Sequence, residues 1–266
     1  MVANVNIHHS AIIEDGAEIG DGTSVGPFCF VGSKVRLGQK VELKSHVVIK
    51  GDTFLGDEIT VFPFAVLGEI PQDKKFNGES TSLKIGNRNQ IREHVTINVG
   101  TKGGGGITKV GNDGLFMAGC HIAHDAQVGD NVILVNNASL AGHCKIEDNV
   151  IVGGLSGVHQ FVRIGEGAII GAVTMVTNDV IPYGLVQAPR GELDGLNLVG
   201  LKRKGVPRAD IMALRAAFQT LSQGDGTFQD RAQKLTDDSD SEYVEKIVSF
   251  VLGHSCLLYT SPSPRD

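Results

Sequence analysis

The sequence predicts a mainly β fold: a left-handed parallel β-helix of hexapeptide repeats, followed by a small α-helical domain. Three observations lead there. Aliphatic residues recur at every sixth position from Ile7 through Ile13 and Ile19 to Leu67, again at Ile85, Ile91 and Ile97, and once more from Val110 to Val176, where Phe116 alone is aromatic. Four residues after most of them stands something small or β-branched, among them Ala11, Thr23, Cys29, Cys120, Ala126 and Cys144. From about Val206 the rhythm becomes that of an amphipathic helix. A strict period of six fits neither a helix nor an alternating strand, whereas stacked hexads mark a parallel β-helix.

Three hexads make one triangular turn, with the aliphatic residue inward and the small residue filling the space beside it. Between eight and nine turns at roughly 4.8 Å each give a prism about 40 Å long. No turn buries its inward row alone, so the fold is cooperative along one axis. Residues 1–68 are nearly pure repeat, and His8, His9 and His46 read as solvated or structural. Residues 69–82 break the beat. Leu67 to Ile85 equals one turn in length, so this loop is expected to replace part of a turn. Its Gln72, Asp73 and Lys75 suit a sugar nucleotide as well as they suit a solvated excursion. A second break, 98–109, is Gly-rich but lacks the Gly-Lys-Ser/Thr ending of a P-loop. It reads as a mobile loop able to cross to another subunit.

After Val176 the repeat fades. In Pro207 to Leu221, the residues Ile211, Leu214, Phe218 and Leu221 form one helical face, and Pro207 suits a first helical turn. Residues 229–235 and 242–252 read as further helices. Lys202-Arg-Lys204 is a compact basic cluster, equally suited to solubility and to phosphate or acidic-protein recognition. The expected domains are a β-helix over 1–190 and a helical domain over 191–255. Residues 256–266 read as the translation of a sequencing adapter and are set aside.

Composition narrows the function. The chain has 266 residues, 41% hydrophobic, with 35 Gly and no Trp, as one repeat domain with an appendage would. It carries no apolar run fit to span a bilayer and no signal segment at its start, so a cytoplasmic protein is expected. A net charge of −6 argues against nonspecific nucleic-acid binding. Cys29, Cys120 and Cys144 occupy the small inward slot, where a reduced thiol acts as a small hydrophobe.

The third repeat block holds the chemistry. His124, Gly142 and Gln160 are spaced by 18, one turn each, and therefore fall in one column. His121, His143 and His159 adjoin it. Unrelated surface histidines would scatter over three faces, so a shared role is expected. Two chemistries fit. Imidazoles are common zinc ligands, and a histidine oriented by Asp125 is a general base. Spacing alone does not separate them.

At His121-Ile-Ala-His-Asp125, Leu140-Ala-Gly-His143, Val158-His-Gln-Phe161 and Gly200-Leu-Lys-Arg-Lys-Gly205 the chain resembles the UDP-N-acetylglucosamine O-acyltransferase family of lipid A biosynthesis. The resemblance runs to about residue 250. It implies a homotrimer with active sites between prisms, an acyl carrier protein presenting a 3-hydroxyacyl thioester, the sugar nucleotide as acceptor, and neither metal nor cofactor. His124 would be the base, Asp125 its orienter and Gly142 the oxyanion donor. Gln72, Asp73, Lys75, His121, His143, His159, Gln160, Asn197, Arg203 and Lys204 would bind substrate, and Lys202, Arg203 and Lys204 would also meet the acidic carrier. Gly154 and Ala172 would set chain length. The chain departs from the family at Val199, often Glu, at Lys204, often Arg, and at Ala172, where Gly is usual. An N-acyltransferase of the same pathway, or a variant acting on a 3-amino sugar nucleotide, and more remotely a γ-type carbonic anhydrase are the alternatives. A purely structural β-helix would leave the column unexplained.

Overall fold

The computed structural model describes residues 4–187, 192–223, 225–238 and 240–253; the adapter-like segment 256–266 lies outside them. Short parallel strands, from Asn6–Ile7 to Met175–Val176, fall on the beat, and each as far as Gly157–Val158 pairs with the third strand after it. Asn6 thus lies beside Ser24, Glu18 beside Arg36 and His121 beside Ser139. Three sheets of 11, 9 and 8 strands result, wound as a left-handed β-helix. The faces that begin with Asn6–Ile7, Ile12–Ile13 and Glu18–Ile19 are called first, second and third below.

The aliphatic residue of each hexad enters the core. Along the second face, Val31, Ile49, Leu67, Ile97, Ile122, Leu140 and Val158 are all buried. The small slot is filled by Cys29, Ala65, Cys120, Ala138 and Cys144, likewise buried. The first turn has a neighbour on one side only, and there Ile7 is 44% exposed. The three described cysteines are free. Burial pushes the thiols of Cys120 and Cys144 up to about 11 and about 12, leaving no thiolate for chemistry near neutrality.

Both breaks in the beat open at the corner between the second and third faces. Val66–Glu69 ends on the second face and Ser82–Ile85 begins on the third, so residues 70–81 are added and displace no strand. The expected replacement of part of a turn is therefore corrected. Ser82–Ile85 pairs in full register with Asp52–Leu55 and with Ile107–Val110, and the prism continues across the insertion. Residues 99–106 leave the same corner one turn later, between Thr96–Asn98 and Ile107–Val110.

Beyond the repeat, Gly184–Gln187 adds a last parallel strand to the first face, and Glu192–Leu196 returns antiparallel to it. Four helices follow: α1 (Leu198–Arg203), α2 (Arg208–Ser222), α3 (Phe228–Asp238) and α4 (Glu242–Leu252). In α2, Ile211, Leu214, Ala217 and Leu221 are buried, and Phe218 packs at the edge. Pro207 precedes this helix as its N-cap, with an extended ψ of 143°, so it does not join the first turn as expected. Lys246 on α4 binds Glu166 at 2.8 Å, and Arg163 lies 4.5 Å over the Phe250 ring. These contacts hold the helices to the end of the prism. No helix of the described residues is long and apolar enough to cross a membrane.

Candidate active site

One turn beyond the Gly-rich break, the chain passes the same corner through Ala123, His124, Asp125 and Ala126. The turn places Asp125 in the left-handed region, φ +61°, and the repeat does the same for His143 (+63°) and Phe161 (+66°). Backbone hydrogen bonds run down this corner, from His143 N to His124 O and from Phe161 N to Gly142 O. The column expected from spacing therefore stands, with His124, Gly142 and Gln160 on successive turns.

Asp125 is 3% exposed and His124 7%. The His124 Nδ1 lies 2.8 Å from Asp125 Oδ2. A carboxylate only accepts, so Nδ1 carries the hydrogen and the lone pair is on Nε2. That face of the ring looks at Gly142: a Cβ there would come within 2.5 Å of His124 Cε1 and 2.7 Å of Nε2. Any side chain at 142 would displace the imidazole. Among the described residues the Gly142 N–H donates to no protein group, and it is free to meet a ligand.

His143 packs edge-on to His124, ring centroids 5.0 Å apart, and stacks on Phe161 at 4.5 Å. Its Nδ1 is 3.8 Å from Asp125 Oδ2. Burial lowers its pKa, which the Asp125 carboxylate partly opposes; the charge of Asp73 reaches it as well. The 70–81 loop therefore brings Asp73 within electrostatic reach of the column. Asn98 ties down the start of that loop, its Nδ2 donating to the Glu69 and Ile70 carbonyls. Within it, Asp73 Oδ1 accepts from Lys75 N, while Gln72 and Lys75 are exposed. His121 faces out of the second face, its Nδ1 2.7 Å from Thr96 Oγ1. Burial and then the charge of His124 lower its pKa. His159 and Gln160 are exposed one turn beyond Gly142.

The Gly-rich break was expected to be a loop able to cross to another subunit, and within one copy its contacts are these. It folds back on Asp125 of its own chain. Thr101 N and Oγ1 donate to Asp125 Oδ1 and Oδ2 at 2.8 and 2.6 Å, and Asp125 N donates to Thr108 Oγ1 at 2.8 Å. Gly104 passes so close that a Cβ would sit 2.0 Å from Asp125 Cγ. Glycines are needed here for close approach. His124, Asp125 and His143 also bring potential metal-ligand atoms within 4.8 Å of one another, but Asp125 Oδ2 already accepts two hydrogen bonds, which an ion would have to displace.

A sequence model described as the second domain of UDP N-acetylglucosamine O-acyltransferase matches residues 179–256. The acyl-(acyl-carrier-protein)–UDP-N-acetylglucosamine O-acyltransferase of Paracoccus denitrificans is 60% identical over 204 residues, 77% of each chain. This chain belongs to that family. The Rhizobium etli enzyme of the same name is 45% identical over 98% of this chain and 96% of its own. The solved structure of UDP-N-acetylglucosamine acyltransferase from Campylobacter jejuni matches with a TM-score of 0.91 at 38% identity, covering 97% of this chain and 100% of that one. The Francisella novicida acyltransferase gives 0.93 at 33%, covering 97% and 95%.

Other positions that the acyltransferase family implies lie away from this corner. Asn197 caps α1: its Oδ1 accepts from Gly200 N, and its Nδ2 donates to Gly167 O. Gly167 stands at the corner between the third and first faces, as does Glu166, whose Oε1 is 3.9 Å from Lys204 Nζ. Lys202, Arg203 and Lys204 are exposed. Gly154 and Ala172 are stacked at the remaining corner, where Val173 N donates to Gly154 O. Residue reading missed Thr96, Thr101, Thr108 and Phe161. The break at 98–109 was the signal for two of them: counting hexads across it puts Ile97 and Ile122 in register, and so sets the loop beside Asp125.

Proposed function

We propose that the chain transfers a 3-hydroxyacyl group from acyl carrier protein to the 3-hydroxyl of UDP-N-acetylglucosamine, the first step of lipid A biosynthesis. The observation that carries the mechanism is the buried His124–Asp125 pair with its Nε2 turned to Gly142, whose N–H is unclaimed. His124 Nε2 takes the proton of the sugar hydroxyl as that oxygen attacks the thioester carbonyl carbon. A C–O bond forms, and the carbonyl electron pair moves onto oxygen, where the Gly142 N–H meets it. The intermediate collapses by breaking the C–S bond, and the imidazolium returns the proton to the departing sulfur. Asp125 keeps the tautomer and stabilises the transient imidazolium. A general base of this kind contributes about 10² to 10⁴ in rate, and an oxyanion donor on the order of 10² to 10³.

His121 and His143, with pKa values lowered by burial, are neutral hydrogen-bonding partners for the substrate, together with Gln72, Asp73, Lys75, His159 and Gln160. Asn197, Arg203 and Lys204 complete the nucleotide site from a neighbouring copy in a homotrimer. Their separation from His124 by a whole face of the same prism supports that arrangement. Lys202, Arg203 and Lys204 also receive the acidic carrier. Residues 1–190 form the acyltransferase scaffold and 191–255 the helical domain, working in the cytoplasm without metal or cofactor. Gly154 and Ala172 bound the acyl groove, and the methyl of Ala172 shortens the accepted chain.

The test is transfer from a panel of 3-hydroxyacyl carrier proteins to UDP-N-acetylglucosamine, with and without chelator. His124→Ala and Ala172→Gly run beside the native protein. Chelator-insensitive transfer, lost in His124→Ala and shifted to longer chains in Ala172→Gly, is expected. Transfer surviving in His124→Ala would remove the assigned base. Loss on chelation would favour zinc chemistry at His124, Asp125 and His143. An unchanged chain preference would discard the role of Ala172.

A further inference from the structure

We propose that Thr101 is a positioning residue, whose hydroxyl holds the Asp125 carboxylate on His124 and away from His143. Asp125 Oδ2 has two imidazoles within reach, His124 Nδ1 at 2.8 Å and His143 Nδ1 at 3.8 Å. Nothing in the carboxylate itself prefers one, and a small rotation about its Cβ–Cγ bond would carry Oδ2 from the first toward the second. Thr101 supplies the preference. Its backbone N–H takes Oδ1 at 2.8 Å and its hydroxyl takes Oδ2 at 2.6 Å. Two donors from one residue fix the plane of the carboxylate as a bidentate clamp does.

The clamp is built for this contact. Thr101 is buried, 7% exposed, and caps the short 3-10 turn Lys102–Gly104 with its extended backbone. Gly106 N and Gly104 N both donate to Thr101 O, so the loop grips its own threonine before the threonine grips Asp125. Thr108, in the strand that follows the loop, accepts the Asp125 N–H and holds its left-handed backbone. Side chain and main chain of one aspartate are thus fixed by the insertion and by the strand it leads into. With the carboxylate held, His124 keeps its hydrogen on Nδ1 and its base on Nε2.

The inference rests on the reading of His124 as the base, and the experiment separates the two. Thr101→Val keeps the shape and the backbone N–H and removes only the hydroxyl. Its kcat is expected to fall about tenfold to a hundredfold, the scale of one lost hydrogen bond to a charged group. KM for UDP-N-acetylglucosamine should change less than about twofold. The acid limb of the kcat/KM profile should move to lower pH, because a carboxylate shared with His143 stabilises the His124 imidazolium less. Thr101→Ser should restore both rate and profile. If the Val protein melts too low to assay, Thr101→Ala against Thr101→Ser makes the same comparison without a buried extra methyl. Wild-type kcat and profile in the variant lacking the hydroxyl, with His124→Ala inactive, would overturn the role of Thr101 alone. Activity in His124→Ala would overturn the reading beneath it.

Discussion

His121 and His143, beside His124, are held below the ordinary imidazole range, and this links the site to stability. For His121 the causes are burial and then the charge of His124. An imidazole whose folded value is depressed binds fewer protons than the unfolded chain as pH falls below about 6.5. Its contribution is therefore complete above that pH and declines as the pH drops toward the folded value. The urea midpoint of the native protein is expected to fall between about pH 7.5 and about pH 5.5. In His121→Asn, which retains a partner for Thr96 without a titrating ring, it should fall less. Equal falls in both proteins would assign the slope to other groups. At this scale the sequence was most informative where the period itself fixed position. His124, Gly142 and Gln160 could be stacked by counting eighteens, because each corner repeats. Phe161 was open to the same count, standing eighteen after His143, but Thr101 was not: a threonine in a Gly-rich break looks like any other until the fold sets it against Asp125.

Among the elements, the hexads were legible throughout because each strand is two to four residues with one inward position, and one side chain decides its face. The insertions were harder. A loop has no period, and the length of 70–81 happens to complete one turn with its hexad, which made an addition look like a replacement. Only the in-register pairing of Ser82–Ile85 with the strands on either side distinguishes them. The loop of residues 99–106 makes a prediction of its own. Gly104 crosses the Asp125 carboxylate where a Cβ would lie 2.0 Å from Cγ, with backbone on one side and a buried carboxylate on the other, so neither can yield without moving. Gly104→Ala should lower kcat on the order of a hundredfold by displacing Asp125 from His124, as misplacement near 1 Å does. The repeat should remain intact, since the loop lies outside the stacked strands. Steady-state kinetics with circular dichroism on the same sample would check this. Unaltered kcat would mean that the loop does not hold Asp125 in solution.

The prism as a whole presents three corners, and the family's implied positions are divided among them. His124 and Asp125 lie between the second and third faces, Asn197 and Lys204 at the corner between the third and first, and Gly154 and Ala172 at the remaining one. Side chains separated by a whole sheet cannot close on one sugar nucleotide within a single copy. If the second face of one copy lies against the first face of the next, the His124 corner of the former meets the Asn197 and Arg203 edge of the latter. A cyclic arrangement of three closes this contact and generates three equivalent sites. Each site then takes its base from one chain and its nucleotide contacts from another, which predicts complementation. His124→Ala and Arg203→Ala proteins, each inactive or nearly so alone, are co-refolded in equal amounts so that chains mix at random. A site is intact only when one neighbour carries the native His124 and the other the native Arg203, so about one quarter of sites should recover. Transfer near that fraction of native activity is expected, rising only after chains exchange and absent when the separately folded proteins are simply combined. No recovery in mixed assemblies of confirmed composition would place both residues in the site of a single chain.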